Sequence, residues 1–308
     1  MALKHMVLGK SGLDVTELCF GTLILGHLQA NLPPEEGAKA VRRALELGVN
    51  FIDTAKGYKT YEHTRLGTEG FSNVVIASKS PVKNAGEMRA GVESCLRALG
   101  RDTVDIFHLH LIKDIDDLRE REGALSTLVQ CRESGMIRAV GLSAHGPKGV
   151  LAALEYEEIE VVFPVFNRKG LGIIDGSMEE MLDAVQKVRQ RGLGLYAMKP
   201  LAGGHLIGDI PSAVKYVRDL GIFDSVAVGL KTPEEAEIMA GVFEDDPRMI
   251  ERALITGKKR AGEKRLIIYD FCKRCGICVE ACAQGALSLG EKKARVNVEK
   301  CILCGYCA

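Results

Sequence analysis

Between Glu17 and Val242, short apolar runs alternate with longer stretches whose apolar residues recur at helical spacing. The runs are Leu18 to Leu25, Asn50 to Ala55, Val74 to Ser80, Val104 to Leu111, Ala139 to Ser143, Val161 to Asn167, Gly194 to Leu201 and Ser225 to Leu230. Continuous apolar runs of this length read as strands buried on both faces, and their alternation with helices predicts a parallel sheet. The intervening segments carry helix ends. Ser177 and Glu180 have capping-box spacing, Met178, Met181, Leu182, Val185 and Val188 form one stripe, and Gly192 is the stop. Eight such units, with no G-x-G-x-x-G turn after the first strand, predict a (β/α)₈ TIM barrel over residues 1–256. Val7 to Val15, turning at Ser11-Gly12, reads as a hairpin ahead of the barrel.

The pattern changes near residue 257. A polar stretch, 257–265, reads as a solvated linker, and residues 266–308 hold seven of the ten cysteines. The other three, Cys19, Cys95 and Cys131, read as core residues; Cys95 shares a helical face with Met88, Val92, Leu96 and Leu99. Lys+Arg and Asp+Glu balance at 41 each, so no field of one sign favours nucleic acid or an anionic membrane. The start of the chain has no apolar leader-like run and no window reaches membrane-span length, so a cytoplasmic protein is expected.

The tail carries the clearest chemistry. Cys272, Cys275, Cys278 and Cys282 follow C-x₂-C-x₂-C-x₃-C spacing, and Cys301, Cys304 and Cys307 begin the pattern again. Three thiolates at intervals of three wrap one face of an iron-sulfur cubane, whereas structural zinc takes two separated ligand pairs. The tail resembles the bacterial two-cluster ferredoxin, in which the fourth cysteine of each run serves the other cluster. The resemblance implies that Cys282, Cys301, Cys304 and Cys307 hold one 4Fe-4S cluster, and that Cys272, Cys275 and Cys278 belong to a second. Ala283 stands where that family has Pro, and the second run reaches Ala308 without its last cysteine, so truncation is expected, the alternative being a labile, three-cysteine first cluster.

In the barrel, polar groups collect at strand ends. The second strand ends in Asn50 to Ala55, which holds Asp53, with Tyr58 just beyond; the third ends at Lys79 and the fourth at His110. A tyrosine is a poor acid near neutrality unless a cation stabilises its phenolate. Lys79 is the cation expected to do so, oriented by Asp53, with His110 on the substrate oxygen. His108, two residues earlier, reads as an interior histidine. The residues Leu8 to Leu13, Asp53-Thr54-Ala55, Gly57-Tyr58, Glu62, Ser78-Lys79, Val104 to His110, Gly135 to Arg138 and Gly141-Leu142-Ser143 together resemble the aldo-keto reductase family.

The resemblance implies a carbonyl reductase with Tyr58 as general acid and hydride from NADP(H) or NAD(H). It places the nicotinamide against Ser143, Phe166 and Asn167, the pyrophosphate at Lys199 to Gly204 with Leu201, and the adenosine at Gly229, Lys231 and Thr232. Ala144 and Phe163 replace family amides, Glu235 stands where the family often has Arg, and Met239 replaces an adenine-contacting Asn. The implied partners are a small carbonyl or alcohol and, through the clusters, an electron-transfer protein or flavin mediator. Two other readings stay open: a cluster-fed oxidoreductase with a degenerate nicotinamide site, and a redox-sensing binding protein.

Overall fold

In a computed structural model that describes residues 2–307, the chain opens with a two-stranded antiparallel hairpin, β1 (His5–Val7) and β2 (Asp14–Thr16). Its turn is a 3₁₀ segment closed by Gly12 at φ 66°, a conformation that suits glycine. Eight parallel strands follow and close on themselves: β3 (Leu18–Gly21), β4 (Phe51–Asp53), β5 (Val75–Ser80), β6 (Val104–Leu109), β7 (Ile137–Ala144), β8 (Val161–Pro164), β9 (Gly194–Met198) and β10 (Ser225–Gly229). β10 pairs with both β9 and β3, which completes the barrel.

Each apolar run of the sequence coincides with one of these strands, and β7 extends past its run at both ends. β3 and β8 are shorter than their runs, because the chain turns away where the barrel rim begins: Thr22–Leu25 is a 3₁₀ turn, and β8 stops at Pro164. The helix Met178–Gln190 starts on the capping box, with both of its reciprocal bonds made.

Side chains of alternate parity form two cores. Phe51, Ile106, Val161, Phe163, Val165, Tyr196 and Met198 fill the barrel interior, joined by Leu8, Leu13 and Val15 of the hairpin. The hairpin therefore plugs the end at which the strands begin. Gly9 makes the contact, since a Cβ there would lie 2.1 Å from the Gly194 nitrogen. The larger core lies between the strands and the helices.

The stretch read as a linker begins inside a helix, Pro247–Arg260. Gly257 lets that helix press on the loop at Ile207, where a Cβ would meet the carbonyl oxygen at 1.9 Å. Polar composition there reflects the helix's exposed face. Beyond it, β11 (Leu287–Leu289) and β12 (Ala294–Val296) pair antiparallel around the buried Ala286, Leu287 and Ala294. No helix among the described residues is long and apolar enough to cross a membrane.

Candidate active site and cluster site

The strand register sets the site. Asp53 ends β4 beside Ala77 of β5, and Lys79 of β5 lies beside His108 of β6. Lys79 Nζ donates to both carboxylate oxygens of Asp53 at 2.7 Å and to the Thr54 carbonyl at 2.9 Å, with 1% of Lys79 exposed. Burial pushes Asp53 up and Lys79 down, and their mutual attraction opposes both shifts. At this separation the attraction keeps them an ion pair.

Tyr58 closes the 3₁₀ turn Lys56–Tyr58 just after β4, and its ring stands edge-on to His110 with centroids 6.3 Å apart. Lys79 Nζ lies 4.9 Å from the Tyr58 ring centre. The four residues expected to act together therefore meet at the end where the strands finish. One expectation fails: Lys79 does not make Tyr58 acidic. Burial pushes the phenol well up, and Tyr306 and Asp53 add to the shift. Asp53 neutralises the nearby ammonium, so Tyr58 stays protonated, the form from which an acid acts.

Behind the pair lies a network that strand reading missed. The Tyr196 hydroxyl donates to Asp53 Oδ2 at 3.1 Å and lies 2.7 Å from His108 Nε2. Its single proton is spent on Asp53, so His108 Nε2–H donates to the tyrosine oxygen. The His108 ring also meets the backbone of Leu142. Gly141 leaves room for the ring, since a Cβ there would lie 2.2 Å from Nδ1. His108 is thus interior, as expected, but tied to the catalytic pair. The parity of β9 carried the signal for Tyr196, which sits between the inward Gly194 and Met198. His145 was also missed; its Nε2 lies 3.2 Å from Lys199 Nζ, and burial pushes Lys199 down to about 8.

His108 and His110 are both held well below the ordinary imidazole value, by burial first and then by Lys79. The fold keeps them neutral while the unfolded chain takes protons below about pH 6.5. Stability is therefore fully present above that pH and is lost as pH falls towards the folded values, by about 1.4 kcal/mol per unit for each histidine. Urea midpoints should fall between pH 7 and pH 5; midpoints that stay level or rise would contradict neutral buried imidazoles.

The residues assigned to a nucleotide are otherwise engaged. Ser143 Oγ accepts from the Leu111 amide at 3.0 Å. Phe166 points out of the barrel against Phe223 and Tyr216, at centroid distances of 5.0 and 6.5 Å, and cannot stack in the mouth. Its parity shows why: Val161, Phe163 and Val165 face inward. The Asn167 amide is consumed in its own loop by Lys169 and Leu171. Thr232 Oγ1 caps a helix by accepting from Glu235 N, and Glu235 accepts from the Lys231 amide and from Arg260. Gly229 is approached by Ile24, and Gly203, beside half-buried Leu201, is covered by the backbone of Ile302. In this arrangement the Asn167 amide and the Gly203 backbone are already occupied by the protein itself.

The tail cysteines divide into two groups. Cys282, Cys301, Cys304 and Cys307 line one cavity of about 280 Å³ with Lys264 and Tyr306. The Ala286 amide donates to Cys282 Sγ at 3.3 Å, the kind of bond that stabilises a cluster thiolate. This is the set the ferredoxin resemblance implied, gathered around one cavity. Cys272, Cys275 and Cys278 lie outside that cavity, with Cys275 exposed.

Closed parallel barrel, converging tyrosine, lysine, aspartate and histidine, and a cysteine-lined cavity define the class: an oxidoreductase barrel joined to an iron-sulfur tail. Residues 17–215, more than half of the chain, match the family model described as "Aldo/keto reductase family", and residues 264–308 match "4Fe-4S dicluster domain". The chain belongs to the aldo/keto reductase family. It is 24% identical over 214 residues to an L-galactose dehydrogenase of Arabidopsis thaliana, covering 65% of this chain and 66% of that one. It is 25% identical over 229 residues to an L-glyceraldehyde 3-phosphate reductase of Escherichia coli K12, covering 67% and 64%. The chain thus spans just under two thirds of the length of these curated relatives. A solved aldo-keto reductase from Pseudomonas aeruginosa, titled putative, superimposes with a TM-score of 0.66 at 26% identity, over 81% of this chain and 95% of that one.

Proposed function

We propose that this chain interconverts a small carbonyl compound and its alcohol at Tyr58 and His110, and holds a 4Fe-4S cluster on Cys282, Cys301, Cys304 and Cys307. The observation that carries the reading is the meeting of Asp53, Tyr58, Lys79 and His110 at one barrel end. A carbonyl oxygen placed between the Tyr58 hydroxyl and the neutral His110 imidazole would accept a bond from each. As a hydride equivalent reaches the carbon, charge grows on the oxygen and the phenol proton passes to it. The Asp53–Lys79 pair keeps its ammonium near Tyr58, and Tyr196 with His108 fixes the carboxylate. When bound, the cluster supplies one-electron transfer.

The family implies a nicotinamide nucleotide as hydride source. The engagement of Ser143, Asn167 and Thr232 within the protein favours a second reading, in which the two electrons for the carbonyl come one at a time through the cluster.

The test is anaerobic turnover of small aldehydes by cluster-loaded protein, with NADPH, NADH or reduced viologen as donor. His110→Phe should lower turnover about 100-fold through lost positioning of the carbonyl, with the cluster spectrum unchanged. Wild-type turnover in His110→Phe would remove His110 from the site.

A further inference from the structure

The segment Cys301–Cys307 does not hang free of the barrel. Gln29, in the loop after β3, donates from Nε2 to the carbonyls of Leu303 at 3.0 Å and Cys304 at 2.7 Å. His205, after β9, donates from Nε2 to the Cys301 carbonyl at 2.7 Å. Between these anchors Ile302 is only 2% exposed. Two glycines permit backbone to lie on backbone: a Cβ at Gly203 would be 1.9 Å from the Ile302 oxygen, and one at Gly305 would be 1.9 Å from the Leu28 oxygen. Both glycines have positive φ, so each contact is shaped on its own side as well.

This seat covers the catalytic end. Tyr306 is 39% exposed, yet its side chain reaches inward to hydrogen-bond with that of Tyr58. Tyr58 and His110 keep only 7% and 8% of their surface. On the other side, Ile302 lies on Gly203, within the loop at the end of β9 that the family resemblance assigns to pyrophosphate.

We propose that the cysteine loop 301–307 is a lid on the barrel's active site, with Tyr306 its contact to Tyr58, and that a docked lid and a nicotinamide nucleotide exclude one another at Gly203. This rests on Tyr58 and His110 being the carbonyl site. The occupation of the nucleotide residues by the protein itself then describes the closed state. The ligands Cys301, Cys304 and Cys307 are themselves in the lid, so whatever lifts it alters the surroundings of three of the four cluster sulfurs. By reciprocity, whatever changes the lid's docking changes nucleotide affinity by the same factor.

The lid's hold can be weakened without touching a thiol or the catalytic groups. Gln29→Ala with His205→Ala removes three hydrogen bonds, each worth roughly fivefold in the docking equilibrium. Apparent affinity for a ligand of the open state scales with the fraction open. Cluster-loaded double variant should bind NADPH or NADH at least tenfold more tightly than wild type, read by nucleotide fluorescence. In both proteins, saturating nucleotide should raise hydrogen–deuterium exchange in residues 301–307. Should the double variant lose its cluster, His205→Ala alone carries the test with a shift of about fivefold.

Equal affinities in wild type and variant overturn the lid. So does nucleotide binding that leaves exchange in 301–307 unchanged. If neither nucleotide binds either protein, exclusion by the lid is also overturned, because weakening the lid should have released the groove. Failure of the underlying carbonyl site is seen separately, as undiminished aldehyde turnover in Tyr58→Phe.

Discussion

Tyr58→Phe should lower carbonyl turnover by about two to four orders of magnitude, the range for losing a positioned general acid. The ring that packs at the barrel mouth is kept, and only the hydroxyl between the expected carbonyl position and Tyr306 is removed. No buried donor or acceptor is orphaned: Tyr306 is 39% exposed and can turn to water, and Lys79 keeps both oxygens of Asp53. Melting temperature and cluster absorption should therefore match wild type. The burial that pushes the phenol up also means that no phenolate is lost, so the defect should persist across neutral pH. Turnover within threefold of wild type would show that the proton comes from another group, with the half-buried Lys199 the next candidate on geometry.

Lys79→Met has the largest expected effect on stability. Removing one partner of a buried ion pair leaves the other charge uncompensated and costs about 3–5 kcal/mol. Asp53 would keep only the Tyr196 hydroxyl, at 3.1 Å, in a setting where burial already pushes its carboxyl up. The carboxyl should take up a proton, which limits the loss near the lower end of that range. Asp53→Asn combined with Lys79→Met should recover much of the stability but none of the activity, since a neutral pair can be packed without the ammonium beside Tyr58. Urea midpoints of the two single variants and the double variant form the cycle. Additive losses in that cycle would mean that the two residues act independently, against the 2.7 Å contacts.

The meeting of Asp53, Tyr58, Lys79 and His110 was readable because each member sits at a fixed step from a strand end, and strand parity and unit spacing are properties of the chain itself. Residues such as Phe166 show how the same rule corrects a resemblance. Val161, Phe163 and Val165 point inward, so Phe166 has outward parity whatever a family alignment suggests. Tyr196 was equally within reach of parity, but nothing along the chain indicates that its hydroxyl would find Asp53 and His108 on strands far away in sequence.

By itself the sequence determined the eight repeating strand-helix units, the placement of Asp53, Tyr58, Lys79 and His110 at one end, and the cysteine spacing that suits a cubane. These follow from short-range periodicity, which hydrophobic burial converts directly into faces and ends. Only the tertiary structure decided which cysteines share a cavity and which polar groups are already spent. It also seated the cysteine loop against the barrel, on Gln29, His205 and Gly203. Those outcomes depend on contacts between segments far apart in the chain, such as Gln29 with Leu303 and Cys304 or Gly203 with Ile302, and no local pattern records such a meeting.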